Sequence, residues 1–258
     1  MSIPLLVVIA VVQLPLMVAF PIVIGLVLKR RYGVGWRIFL FGGATFVASQ
    51  VVHLPLNYGL GLLSGQWGVA LWPLLPMALV AGLGAGVCEQ AARWGALRFF
   101  LPRVRGWRDA LQFGAGHGGI EAIILGLLVI SSVVQMVVVQ QAGIEALGLG
   151  SEESAQAEQM LQAFWSTPLY VPALGGLERV FTVAFHVAMT VLVMRAIVYR
   201  QPVYLVAAVA AHTAVDAWAV WAVRTLGLTW TELGLAVVGA ASVWLSVRLR
   251  EENSEPTL

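Results

Sequence analysis

Cysteine and charge are the two things this chain has least of. Its single cysteine, Cys88, excludes an internal disulfide framework and any zinc site built on thiolates, so a bound metal must be held by imidazole and carboxylate. Charged residues make up only 11% of the 258 residues while 60% are hydrophobic, which excludes an ordinary water-soluble domain. No internal repeat and no separate soluble domain is found. A net charge of +2 gives no ground to expect a nucleic-acid partner.

What is present is a series of long apolar runs. Each span needs roughly 20 apolar residues, and seven runs are found, at about Ile3 to Leu28, Trp36 to Leu56, Val69 to Cys88, Ala110 to Val139, Val171 to Val198, Pro202 to Val223 and Thr229 to Val247. The pattern predicts an all-α, polytopic membrane helix bundle of about seven transmembrane helices. It forms one domain over 1–250, with a short tail over 251–258, in a cell membrane. The first run is followed, not preceded, by Lys29, Arg30 and Arg31, the reverse of a cleavable signal's charge order. With the N-terminus outside, every Lys and Arg except Arg179 and Arg224 falls on the inner side, as cytoplasmic retention of positive charge requires. The C-terminus is then cytoplasmic. The loop between the fourth and fifth runs holds Ser151, Glu152 and Glu153, read as an N-cap and acidic first turn of a short helix. Met160, Leu161, Phe164 and Trp165 form its apolar stripe, expected to lie on the membrane surface.

Ionisable groups inside spans cost roughly 2.5 to 3.5 kcal/mol each on insertion scales, yet this chain has many. They are Glu89 near the end of the third run, His117 and Glu121 in the fourth, Glu178, Arg179 and His186 in the fifth, and His212 and Asp216 in the sixth. At a rise of about 1.5 Å per residue, His117, His186 and His212 lie about 12, 18 and 15 Å from the cytoplasmic ends of their helices, close to one level. Glu121 follows His117 by four residues and Asp216 follows His212 by four, so each pair shares a helix face. Such a set suits a metal site inside a bundle, a hydrogen-bonded proton path, or polar groups that only tie helices together. Glycines around His117, in Phe113-Gly-Ala-Gly-His-Gly-Gly, allow a close approach by a helix or an extended peptide. Gly82 to Gly86 reads as packing notches. His53 reads as a lone interfacial histidine, and Arg93 as a partner for Glu89 four residues back.

Four segments carry a resemblance to a known family. Glu89-Gln-Ala-Ala-Arg93, Phe113-Gly-Ala-Gly-His117-Gly-Gly-Ile-Glu121, Glu178-Arg179 with His186, and His212-Thr-Ala-Val-Asp216 together resemble the YhfC family of intramembrane metallopeptidases. That family looks related to the CAAX prenyl proteases and the PrsW proteases, whose motifs occur in the same order on successive spans. One departure lies at Gln90, where those motifs carry a second acid. The resemblance implies hydrolysis of peptide bonds in membrane-associated protein or peptide substrates, within or at the edge of the bilayer. Glu89 or Glu121 would act as base, and Arg93 would pair with Glu89 or hold a substrate carboxylate. Zinc, if bound, would sit on His117 and His212, with Asp216, His186, Glu121 or Glu178 completing the set. Zinc-activated water and a metal-free glutamate base both remain open, since His-Glu-x-x-His is absent. The competing readings are a proton-coupled or ion transporter, and a scaffold or immunity-type protein that has lost catalysis.

Overall fold

A computed structural model describes residues 2–250 of the protein; the expected tail at 251–258 lies outside the described residues. Seven helices are long and apolar enough to cross a membrane. They are α1 (Ile3–Tyr32), α2 (Trp36–Gly59), α3 (Leu74–Phe100), α4 (Trp107–Ala142), α6 (Tyr170–Val198), α7 (Pro202–Thr225) and α8 (Leu228–Arg248), with the shorter α5 (Ser151–Trp165) between α4 and α6. Among the described residues there is no strand. The all-helical, seven-span architecture follows from lipid chemistry, because in hydrocarbon a helix satisfies its own backbone hydrogen bonds.

Local chemistry moves several boundaries. Val69 lies in a 3-10 turn, Gly68–Leu71, and Pro73 stands at the N-cap of α3, so the third span starts at Leu74. The same helix runs past Cys88 to Gly95 and on through a π-helical turn, Ala96–Phe100. Glu89 is therefore in the helix interior and not near its end; hydropathy fails at this point because the polar residues there satisfy one another. Prolines 15 and 21 remove N–H donors from α1, which passes through π-helical turns at Ile9–Gln13 and Pro15–Ala19. The N-cap of α5 is Gly150, not Ser151: the Gly150 N–H donates to Glu153 Oε2 at 3.1 Å, and its carbonyl accepts from Ser154 at 2.9 Å.

Helix α6 is the centre post. Two thirds of its most apolar window is buried, and it packs on α4, α7 and α8, while α2 closes on α4 and α3 on α7. The glycines beside His117 are filled by protein and leave no open cleft for a chain. A Cβ on Gly116 would run into the Phe39 carbonyl oxygen, and one on Gly42 into that of Phe113, so α2 and α4 meet backbone to backbone. A Cβ on Gly118 would lie 2.7 Å from Cδ2 of His186, so this glycine leaves the space the imidazole takes. Gly82 does for α7 what Gly116 does for α2, its added Cβ falling 2.5 Å from the Thr213 carbonyl oxygen.

Gly116→Ala forces α2 off α4 and is expected to destabilise the protein by about 1–3 kcal/mol. Gly59→Ala, whose methyl meets nothing within 4 Å, serves as the control and leaves stability unchanged. Thermal unfolding in detergent compares the two.

Candidate functional site

Helix α3 supplies Glu89, Gln90 and Arg93, and the i, i+3 and i, i+4 spacings turn all three to one face. Gln90 and Arg93 are wholly inaccessible to solvent and Glu89 is 5% exposed. A guanidinium has only donors and cannot shed its proton, so Arg93 needs acceptors at this depth. Nη1 donates to Gln90 Oε1 at 2.8 Å, and Nη2 donates to Glu89 Oε2 at 3.3 Å and to His186 Nδ1 at 2.6 Å.

The three imidazoles gather around the same carboxylate. His117 Nε2 lies 3.0 Å from Glu89 Oε2, His186 Nδ1 at 3.8 Å and His212 Nε2 at 3.8 Å. Ring centroids are 5.3 Å apart for His117 and His186 and 5.5 Å for His186 and His212. Two of the histidines then meet another polar group: His212 Nδ1 contacts Gln90 Nε2 at 2.7 Å, His212 Nε2 faces Asp216 Oδ2 at 3.5 Å, and His186 Nε2 stands 2.6 Å from Glu121 Oε2. Within the cluster, Nδ1 of His117 and Nε of Arg93 are buried without a hydrogen-bond partner among the described residues.

A second ionic group adjoins the first. Arg179 donates to Glu121 Oε1 at 3.1 Å and pairs closely with Glu178. Glu121 thus touches Arg179 with one oxygen and His186 with the other. Between the two groups lies a chamber of about 110 Å³, room for several waters, lined by Glu89, Glu121, His186, His212 and Asp216 among others. Glu178 and Arg179 also line a larger cavity of about 500 Å³ with mainly apolar walls from α1, α4, α5, α6 and α8. Phe164 of α5 lines that cavity, while no residue of α5 is buried.

The donor set suits a small divalent cation. Glu89, His186 and His212 each offer one ligand atom, all within 4.8 Å of one another. Four-coordinate zinc with bonds of about 2.0–2.1 Å spaces its ligand atoms about 3.4 Å apart, so modest inward movement closes the set. Arg93 lies against His186 Nδ1 and would have to release it.

A family model described as YhfC intramembrane metalloprotease matches residues 16–231. The chain belongs to this family. A membrane protein of Bacillus subtilis (strain 168), YhfC, itself uncharacterized, is 30% identical over 239 residues, spanning 90% of this chain and 93% of its own length. No solved structure matches. Together with the seven apolar helices, this makes the YhfC-family chain a multi-pass integral membrane protein.

Of the residues singled out in the sequence, Glu89, Arg93, His117, His186 and His212 converge on one point. Glu121, Asp216 and Glu178 line the adjoining chamber, Glu178 paired with Arg179. His53 contacts Asn57 at 3.1 Å, outside the cluster. Two residues escape sequence reasoning. Gln90 looked like a departure from a motif, although its position three residues before Arg93 is that of a helix-face partner. Glu232, 5% exposed, sits in the wall of the large cavity with Oε2 unpartnered among the described residues; an acid four residues into a span is the signal that could have found it.

Arg93→Met leaves the Glu89 charge buried without its cation and is expected to cost roughly 3–5 kcal/mol. Arg93→Met combined with Glu89→Gln removes both charges and recovers most of that loss. Unfolding of the two variants in detergent checks whether the loss is that of an ion pair.

Proposed function

We propose that the protein is an intramembrane peptidase, metal-dependent, that hydrolyses peptide bonds in membrane-associated protein or peptide substrates. The observation that carries this reading is the convergence of three imidazoles on the Glu89 carboxylate, beside a chamber that shares Glu178 and Arg179 with an apolar cavity. An apolar peptide segment fits the chemistry of the larger cavity, and water that of the chamber.

In this reading Glu89, His186 and His212 would hold a zinc ion. Bound zinc lowers the pKa of water to about 7 and polarises the scissile carbonyl. His117, at 3.0 Å from Glu89 Oε2, holds that carboxylate in place. Glu121 takes the proton of the attacking water, since it borders the chamber and keeps one oxygen 2.6 Å from His186 Nε2. Arg179 fixes the Glu121 carboxylate from the opposite side. Asp216, its side chain 38% exposed, is the most accessible of these acids and receives the product amine or orients His212. Cys88 is partly exposed and outside the cluster, the lining of the chamber contains no serine, and the hydroxyl of its threonine, Thr182, donates to the Arg179 carbonyl at 3.3 Å, which supports a water as the attacking group.

The test is cleavage of transmembrane peptides by protein reconstituted in lipid discs, with metal analysis of the same preparation. Glu121→Gln is expected to keep the fold and lower cleavage by about 10²–10⁴-fold. Stripping metal with a chelator abolishes cleavage, and zinc restores it. Wild-type rates in Glu121→Gln and Glu89→Gln alike would remove the reading, and proton flux into liposomes without cleavage would replace it with that of a transporter.

A further inference from the structure

The hydrogen bonds around Arg93 dictate where two histidine protons sit. The side-chain oxygen and nitrogen of a glutamine are ordinarily told apart only by their partners, and here the partner leaves one choice. Arg93 Nη1 is a donor and nothing else, so the Gln90 atom 2.8 Å from it is the oxygen. The Gln90 amide nitrogen then faces His212 Nδ1 at 2.7 Å and donates to it. Nδ1 of His212 must therefore present its lone pair, and the ring proton resides on Nε2, aimed toward Asp216 Oδ2 at 3.5 Å and Glu89 Oε2 at 3.8 Å. Arg93 Nη2 acts on His186 Nδ1 in the same way, directly, at 2.6 Å, leaving the His186 proton on Nε2 toward Glu121.

We propose that Gln90 is a positioning residue that holds His212 as its Nε2–H tautomer, relaying the donor-only character of Arg93 across 2.8 and 2.7 Å contacts, and thereby keeps the site's affinity for zinc low. A cation that takes His212 through Nε2 must displace that proton to Nδ1, where it meets the Gln90 amide donor. Turning the amide over brings its NH₂ against Arg93 Nη1 instead. Either way one buried donor faces another with no solvent to relieve it, since Gln90 and Arg93 are both fully inaccessible. A carboxylate at position 90 has no such conflict. It accepts from Arg93 Nη1 and from His212 Nδ1–H together, the outer-shell arrangement that frees a ligating Nε2 and raises its basicity.

The position of the proton does not depend on whether the centre cleaves peptides; only the affinity arm of the test rests on the metal reading. Nitrogen-15 labelling of histidine gives four imidazoles to resolve, and His212→Gln assigns the one at issue. In metal-free wild-type protein in lipid, the His212 spectrum is expected to show a protonated Nε2 and an unprotonated Nδ1. In Gln90→Glu the proton moves to Nδ1, and zinc, added alone and titrated against a chelator, binds about 10–100-fold more tightly. The gain disappears when His212→Gln is added to Gln90→Glu, whereas a gain from negative charge alone would persist. A wild-type His212 protonated on Nδ1, or on both nitrogens, overturns the proposal, and that spectrum decides the matter even if Gln90→Glu does not fold. An unchanged tautomer in folded Gln90→Glu, or a zinc gain that survives loss of His212, overturns it as well.

Discussion

The packing of this bundle turns on one buried cation. Arg93 lies at bilayer depth with no exposed surface, and its guanidinium can neither lose its charge nor accept a hydrogen bond. Leaving it without partners would cost several kcal/mol. Two acceptors come from its own helix at i−3 and i−4, and the third, His186 Nδ1, from α6. For that third contact α6 must come close to α3, and α4 must give way beside it. Gly118 is where α4 gives way, its missing side chain replaced by the His186 ring. Charge compensation and helix packing are thus one requirement: the residue that satisfies Arg93 also explains why a glycine stands next to it.

A second arginine answers the same problem differently. Arg179 draws on Glu121 from α4 and on Glu178 beside it in the chain, and its neighbours retain some exposure, with Glu121 at 20% and Glu178 at 28%. Glu121 links the two systems by standing against both Arg179 and His186. The inner group is almost wholly buried, as a constellation that must hold three imidazoles requires. The outer group borders a chamber and a cavity.

Much of the architecture is legible in residue order, because the apolar runs are long and lipid leaves few alternatives. Height along each helix is legible too: the fixed rise per residue set His117, His186 and His212 near one level, and they do meet. Rotation about the helix axis is not, and it decides that Glu178, on the same helix as His186, turns to Arg179. The third span misleads for a related reason. Hydropathy stops at Cys88 because Glu89, Gln90 and Arg93 look unfit for lipid, whereas in the bundle they complete each other and the helix continues to Phe100. The glycines near His117 signal close approach correctly but not its partner. Nothing in a string of glycines distinguishes a neighbouring helix from an incoming peptide.

The surroundings of the cluster bear on what such a centre can do. One to two turns beyond the cluster, in the direction away from the chamber, buried apolar side chains predominate. Arg93 is followed by Leu97 on α3, His117 is preceded by Phe113 on α4, and His212 by Ala208 on α7, each with no exposed surface. On α6, Val193 lies two turns past His186 and is equally buried. Polar side chains in this layer bond to backbone: the Thr190 hydroxyl donates to the His186 carbonyl at 2.9 Å, and the Gln112 amide nitrogen to the Gly25 carbonyl at 3.3 Å, while Gln112 Oε1 has no partner among the described residues. An ion or proton crossing the membrane would have to pass this hydrophobic layer, where nothing solvates charge. The open space beside the carboxylates is the chamber. A polar centre that opens on a chamber and is backed by apolar packing fits the proposed activation of a water better than a conduit for charge, because the low-dielectric backing strengthens the electrostatic interactions within it.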